Sequence, residues 1–336
     1  MQFHIHQTFN PELQAGWDNL LDESHFITPF LKFGYLKQWW QGKGGGEWDE
    51  GKLILITATQ ADKAVGIAPF FLSNFEGMQS LLFVGSIEIS DYLDFIAKPA
   101  HLQEFIKGMM HFLTTAEVEW QRCVLYNLLD NSSSIPVLQE TAAAQGYVCE
   151  VEPLIKAPYI PLPESWDAYL AGIDKKQRHE IRRKLRRAEE LAADIDWVIS
   201  HPAHHLNADM DTFLRLMAQD KAKAKFLTEA MKTQMQQSIQ WAAQEALLHL
   251  SFLYINGEAA SGYYCFDYNN QLLVYNSGFD ARFWDYSPGW VHLSKLIQWA
   301  IENKREVVDM MRGGETYKYR FGGVDRQVMR VIISKK

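Results

Sequence analysis

Residues 248–277 read LHLSFLYINGEAASGYYCFDYNNQLLVYNS, and this stretch decides the fold of the chain. Asn256-Gly257 separates two apolar runs by two residues, which is a strong signal for a tight β-hairpin. Asn269-Asn270 then leads into a third run, Leu272–Ser277. The stretch therefore predicts three consecutive antiparallel strands.

A helix is expected after this strand block. Ser287-Pro288-Gly289 opens it, because serine caps helices and proline suits the first helical position. A strand over Val307–Met310 is expected next, and the motif Tyr317-Lys318-Tyr319-Arg320-Phe321-Gly322 follows it. Val328–Ile333 is expected to complete the same sheet. A helix start beyond a strand presents free N–H groups and a partial positive charge, which can hold a phosphate. A lysine and two tyrosines beyond the next strand suggest acyl transfer at that place.

Composition limits the class of protein. The 336 residues suit about two domains, and 47% hydrophobic residues provide for packed cores. A net charge of −8 argues against a protein that coats nucleic acid non-specifically. The three cysteines show no C-x-x-C spacing, so neither a disulfide framework nor a metal site is expected. The N-terminus lacks the pattern of a signal peptide and no apolar run is long enough to span a membrane, so a cytoplasmic protein is expected.

The first half of the chain repeats the pattern of the second. Lys52–Thr59 and Ala64–Ser73 predict a hairpin, and Pro99–Phe112 predicts a later helix that begins at proline. Four prolines then crowd a short segment, Pro153, Pro158, Pro161 and Pro163, and mark a boundary. We therefore predict an α/β fold with two domains, residues 1–155 and 156–336.

A strongly basic helix is predicted over Lys175–Ala193. Eight cations between residues 175 and 187 suggest an anionic partner: a nucleotide-sugar, a lipid phosphate or tRNA. Three of them are four residues apart and share a face: Arg178, Arg182 and Arg186. The alternative is a solvated helix balanced by its own glutamates. Three lysines that alternate in a later connection are expected to be solvated: Lys221, Lys223 and Lys225.

This order of elements resembles the GNAT acyltransferase fold, occurring twice. Lys175–Arg187, the strand block and the ending Gly314-x-x-Tyr317-Lys318-x-x-Phe321-Gly322 resemble two groups. One is the FemAB-like acetyltransferases associated with bacterial polysaccharide biosynthesis, and the other is the Fem peptidyl transferases, which use aminoacyl-tRNA. The resemblance implies two tandem GNAT-like domains, each a mixed, mostly antiparallel sheet flanked by helices, with the donor site in the second.

The resemblance also implies roles for particular residues. The donor pyrophosphate is expected at four residues of the helix start: Ser287, Pro288, Gly289 and Trp290. The pantetheine is expected along three residues of the preceding strand: Tyr275, Asn276 and Ser277. Lys318 matches the lysine of the Fem-like motif and is expected to stabilise the oxyanion. Tyr317 is a candidate proton donor to the leaving thiolate, and Glu315 and Asp309 are candidate bases. The acceptor is expected to contact Arg178, Arg182 and Arg186.

The expected function is an N-acyltransferase that moves an acyl group, acetyl in the simplest case, from CoA to an amine. The acceptor is expected to be polar or anionic, such as an amino-sugar or cell-envelope precursor, and no metal is expected. Two alternatives stay open: a peptidyl transferase that uses aminoacyl-tRNA, and a GNAT-shaped binding protein without turnover. Lys318 and Tyr317 also have ordinary explanations, as a solvated lysine and a half-buried aromatic residue.

Overall fold

The computed structural model describes residues 1–191 and 194–335. The chain forms two compact units, Met1–Ile155 together with the chain from Gln327 onward, and Lys156–Arg326. Each unit has a mixed, mostly antiparallel sheet with flanking helices. The predicted fold class, two consecutive α/β units, is confirmed.

The first unit alternates strands and helices. In chain order its elements are β1 (Gln2–His6), α1 (Gln14–Asp22), α2 (Phe33–Gln41), α3 (Lys43–Gly46), β2 (Lys52–Gln60), β3 (Lys63–Phe75), β4 (Met78–Phe83), β5 (Ile96–Ala97), α4 (Pro99–Thr115), β6 (Arg122–Leu129), α5 (Ser134–Ala144) and β7 (Val148–Lys156). The predicted hairpin is β2 and β3, paired from Lys52 and Leu72 to Gln60 and Lys63.

The second unit also alternates strands and helices. Its elements are β8 (Tyr159–Pro161), α6 (Trp166–Gly172), α7 (Lys175–Leu191), β9 (Ile195–Ile199), α8 (Pro202–Met217), α9 (Lys221–Phe226), α10 (Glu229–Gln244), β10 (Leu248–Ile255), β11 (Glu258–Tyr268), β12 (Gln271–Phe279), α11 (Pro288–Glu302), β13 (Val307–Asp309) and α12 (Thr316–Arg320). The three predicted strands are β10, β11 and β12. The predicted basic helix is α7, and the last two residues of that prediction lie outside the described residues.

The last strand, β14 (Gln327–Ser334), belongs to the first sheet, whose order is β1-β2-β3-β4-β6-β14-β7. It pairs antiparallel with β6, from Val328 and Leu129 to Ser334 and Arg122. The prediction that Val328–Ile333 completes the second sheet is therefore wrong. Alternating burial along a strand shows that one face is covered, but it does not show which sheet supplies the neighbour.

The second sheet has the order β8-β13-β12-β11-β10-β9. Only β12 and β13 run parallel, and they pair over just three residues, Gln271–Leu273 with Val307–Asp309. The register of β11 against β12 shifts between Tyr264 and Cys265, which leaves Tyr275 as the extra residue of a β-bulge. β13 ends at Asp309, whereas β12 continues to Phe279, so β12 parts from β13 after Leu273.

The first unit fills the corresponding gap with its own chain. β4 and β6 also run parallel over three residues, Ser80–Leu82 with Arg122–Val124. The chain that follows β4 is largely buried. The Asn127 side chain on β6 donates to the carbonyl oxygens of Ile87 at 2.8 Å and Ser90 at 2.7 Å. In the first unit, buried chain held by Asn127 therefore lies beside this parallel pair.

Candidate functional site

A cavity of about 400 Å³ lies at the end of β12, beyond the residues that pair with β13. Its wall is largely aromatic, with a few charged and hydroxyl groups. The lining residues are Lys184, Lys223, Tyr263, Ser277, Phe279, Trp284, Ser287, Pro288, Gly289, Trp290, Glu315, Tyr317 and Phe321. All of them belong to the second unit. The cavity therefore joins the predicted helix start to the predicted catalytic motif.

The start of α11 borders the cavity. Ser287 has a left-handed backbone (φ 52°), and its carbonyl accepts the N–H groups of Trp290 at 2.9 Å and Val291 at 3.2 Å. Its hydroxyl does not cap the helix and instead accepts a hydrogen bond from Lys184 Nζ at 3.0 Å. A Cβ added at Gly289 would lie 3.0 Å from the Phe279 ring, so Gly289 lets this ring pack on the turn.

Lys184 supplies the cation at this turn. Its ammonium lies 5.1 Å from the centroid of the Trp290 ring and 3.7 Å from Glu180. Burial lowers the pKa of Lys184, and Glu180 offsets part of that effect. A desolvated ammonium beside a helix start is a suitable environment for a phosphate.

The arginine face predicted to bind the acceptor does not line the cavity. Arg178 donates to the carbonyl oxygens of Leu170 at 3.2 Å and Ala171 at 3.3 Å. Arg186 lies 3.8 Å from Glu190 on the surface, and Arg182 is exposed. The apolar residues of α7 decide which face turns inward, and that face carries Lys184 rather than the three arginines. Its apolar members are Ile181, Leu185 and Ala188.

Lys318 is not directed into the cavity. It is 3% exposed, and its Nζ donates to the carbonyl oxygens of Met311 at 3.2 Å, Arg312 at 2.8 Å and Gly313 at 3.0 Å. The same atom lies 2.9 Å from Glu315 Oε2. These partners use all three N–H groups of the ammonium. The geometry therefore contradicts the predicted oxyanion role and makes Lys318 a positioning residue for the loop and for Glu315.

The neighbours of Lys318 do face the cavity. Glu315 and Tyr317 both line it. Burial raises the pKa of the Tyr317 phenol, and the Glu315 carboxylate raises it further. Tyr317 therefore keeps its proton at neutral pH, as a proton donor must.

Asp309 has a structural role instead of the predicted basic one. It is 1% exposed, and its carboxylate accepts the Met311 N–H at 2.8 Å and pairs with Arg326 at 2.5 Å. It is not among the residues that line the cavity. A carboxylate held by a backbone amide and a guanidinium stabilises the turn after β13 and has no path to an acceptor amine.

Of the three strand residues predicted to align the pantetheine, one lines the cavity. Ser277 lines it, and its N–H donates to Asn276 Oδ1 at 2.9 Å. The Tyr275 ring packs instead on Tyr264 and Phe266, with centroids 5.2 Å and 5.4 Å away. The bulge at Tyr275 explains this division, because it changes the direction of the side chains that follow.

Lys223 lines the cavity, and the prediction that it is solvated is wrong. Its Nζ donates to Asn276 Oδ1 at 2.9 Å and to the Ser277 carbonyl at 2.5 Å. Burial lowers its pKa, and Asp220 and Glu315 offset part of that effect. The sequence signal was weak, because a lysine in a run of alternating lysines looks like a surface residue.

Within residues 1–191 and 194–335, no group of three or more His, Cys, Asp or Glu side chains is arranged to hold a metal ion. In the same residues, no helix has both the length and the apolar character needed to cross a membrane.

Comparison with known proteins agrees with this geometry. Residues 175–319 match the family profile described as "Acetyltransferase (GNAT) domain". The match begins with α7 and ends beside Lys318, so it contains the residues that line the cavity, apart from Phe321. This segment of the chain is therefore similar to a GNAT acetyltransferase domain. No curated protein matches the chain at a significant level.

Solved structures share the fold over nearly the whole chain. A conserved protein of unknown function from Bacteroides thetaiotaomicron VPI-5482 has a TM-score of 0.64 at 10% identity, over 99% of this chain and 100% of that one. L-PGS from Bacillus licheniformis has a TM-score of 0.58 at 11% identity, over 99% and 94%. FemX has a TM-score of 0.55 at 9% identity, over 98% and 97%. At these identities the likeness describes the fold alone.

Proposed function

We propose that the chain is an N-acyltransferase that takes an acyl group from CoA and transfers it to the amine of a polar or anionic acceptor. One observation carries the proposal: the cavity at the parted strands joins the Lys184 ammonium at the α11 start to Glu315 and Tyr317. A cation at one end and proton-transfer groups at the other suit a diphosphate carrier with a reactive thioester.

The cavity residues fit the parts of acyl-CoA. The diphosphate contacts Lys184 and the backbone at Ser287–Trp290, where the helix start favours negative charge. The pantetheine runs past Ser277 at the end of β12, a residue that lines the cavity. The aromatic wall excludes water from the thioester, which strengthens every charge interaction there.

The remaining residues divide the proton transfers. Tyr317 gives its proton to the sulfur as the C–S bond breaks. Glu315 takes the proton that the acceptor nitrogen loses when the new C–N bond forms. Lys318 holds the Glu315 carboxylate at 2.9 Å and fixes the loop before it. The acyl chain is acetyl in the simplest case.

Calorimetric titration with acetyl-CoA tests the proposal. The unmodified protein is expected to bind, and Lys184→Ala to bind about tenfold more weakly, a loss of about 1.4 kcal/mol. Arg182→Ala is the matched control, because it removes one cation from the exposed side of the same helix and is expected to bind as the unmodified protein does. No heat with the unmodified protein at millimolar acetyl-CoA would contradict the proposal.

A second candidate function is a Fem-like peptidyl transferase that uses aminoacyl-tRNA. The exposed cations of α7 favour it, because Lys175, Lys176, Arg182 and Arg187 all lie on the surface of the helix. Binding that depends on neutralised phosphates weakens steeply with salt, by about 10³-fold or more between roughly 50 and 200 mM. Filter binding of aminoacyl-tRNA over that salt range tests this candidate. A steep fall in affinity with rising salt would favour it, and undetectable binding at the lowest salt would remove it.

A further inference from the structure

The cation at the parted strands is Lys223, and two features of the fold bring it there. Its helix, α9, is capped by Asp220, whose carboxylate accepts the backbone N–H of Lys223 at 3.0 Å. Gly278 lets the end of α8 approach β12 closely, since an added Cβ would lie 2.3 Å from the Met217 nitrogen. The connection from α8 to α9 is therefore held against β12, and Lys223 reaches the strand.

The ammonium of Lys223 has capacity for one more partner. An ammonium has three N–H groups. In the described part of the chain, Lys223 Nζ makes two hydrogen bonds, to Asn276 Oδ1 and to the Ser277 carbonyl. Lys318 lies nearby, but its three N–H groups are taken by carbonyl oxygens. Of these two lysines, Lys223 is the one able to donate into the cavity.

We propose that Lys223 is a catalytic residue that stabilises the oxyanion of acyl transfer, an inference that rests on the proposed function. A carrier that runs from the α11 start along β12 brings its thioester to Ser277, where the Lys223 ammonium lies. Its fixed position means that little reorganisation is needed as charge develops on the carbonyl oxygen.

The proposed step conserves atoms and charge. The neutral acceptor amine attacks the thioester carbon, the C–N bond forms, and the carbonyl oxygen becomes an oxyanion that accepts a hydrogen bond from Lys223. The oxyanion then reforms the carbonyl, the C–S bond breaks, and the sulfur takes the Tyr317 proton. Glu315 takes the proton lost by nitrogen and returns it through solvent to Tyr317. Lys223 stays protonated throughout.

The test compares Lys223→Ala, Lys223→Gln and Lys223→Arg with Lys221→Ala. Lys221 lies on the same short helix and is exposed, so its removal makes the same change in net charge outside the cavity. The readouts are cleavage of acetyl-CoA with hydroxylamine as the nucleophile, the Kd for CoA by calorimetry, and the Tm. We expect Lys223→Ala and Lys223→Gln to lower kcat about 10²-fold or more, while the Kd for CoA changes less than about threefold.

Two further results separate catalysis from structure. Added methylammonium is expected to raise the rate of Lys223→Ala and leave Lys221→Ala unchanged, and Lys223→Arg is expected to retain part of the rate. If the unmodified protein binds CoA and Lys223→Ala turns over within about threefold of Lys221→Ala, the role of Lys223 is overturned. If the unmodified protein does not bind CoA, the proposed function itself fails.

Discussion

Replacing Lys318 by alanine is expected to destabilise the second unit rather than only stop turnover. Its ammonium is buried against three backbone carbonyls of residues 311–313, and the variant leaves these acceptors unpaired in the interior. Each buried acceptor left without a partner costs about 1–3 kcal/mol. Glu315 is 56% exposed and adds little to the loss.

We expect a loss of about 3 kcal/mol in the free energy of unfolding, because water and loop relaxation recover part of the sum. For a unit of this size that lowers Tm by about 6–12 °C. Thermal unfolding followed by circular dichroism measures it. Lys156→Ala is the control, since it breaks an exposed pair with Asp325 at 2.7 Å and is expected to shift Tm by no more than about 2–4 °C. Equal Tm values for the two variants would refute the structural role of Lys318.

Three other predictions concern the same unit. Gly278→Ala is expected to lower both the Tm and the rate of acyl transfer, because the added Cβ would lie 2.3 Å from the Met217 nitrogen. Gly172→Ala is the control. Its Cβ would meet nothing within 4 Å, so both quantities are expected to stay unchanged. Tyr317→Phe is expected to lower kcat about 10²-fold at an unchanged Kd for CoA, and an unchanged kcat would remove its role as proton donor. The affinity for CoA is expected to fall as pH rises through the pKa of Lys184, because binding needs the charged ammonium. Burial lowers this pKa, so the fall is expected at a lower pH than for an ordinary lysine. Calorimetry at several pH values checks this, and an affinity that stays constant to about pH 10 would contradict it.

Local signals predicted the fold of the second unit well. The turn at Asn256-Gly257 sets the hairpin of β10 and β11, and Ser287-Pro288 marks the beginning of α11. Both depend on backbone preferences of a few adjacent residues. β14 is different, because its pairing with β6 joins residues about 200 positions apart. The pattern of apolar residues in Gln327–Ser334 fits either sheet.

Sequence motifs located the site but not the direction of each side chain. Lys318 lies in the expected motif, yet the carbonyl groups of the preceding loop take its ammonium, and such a contact leaves no trace in residue spacing. Lys184 was findable, since it shares the i, i+3, i+4, i+7 face of Ile181, Leu185 and Ala188. The position of Lys223 could not be predicted from the sequence, because this residue reaches the cavity through the close approach of α8 to Gly278.

The most direct measurement is a crystal structure of the protein grown with CoA. We predict electron density for the diphosphate within hydrogen-bonding distance of Lys184 Nζ and the Gly289 N–H, with the sulfur between Tyr317 and Lys223. Two results would contradict the account. One is density for the diphosphate at another place. The other is a cavity without CoA in which Phe279 and Lys184 keep their present contacts.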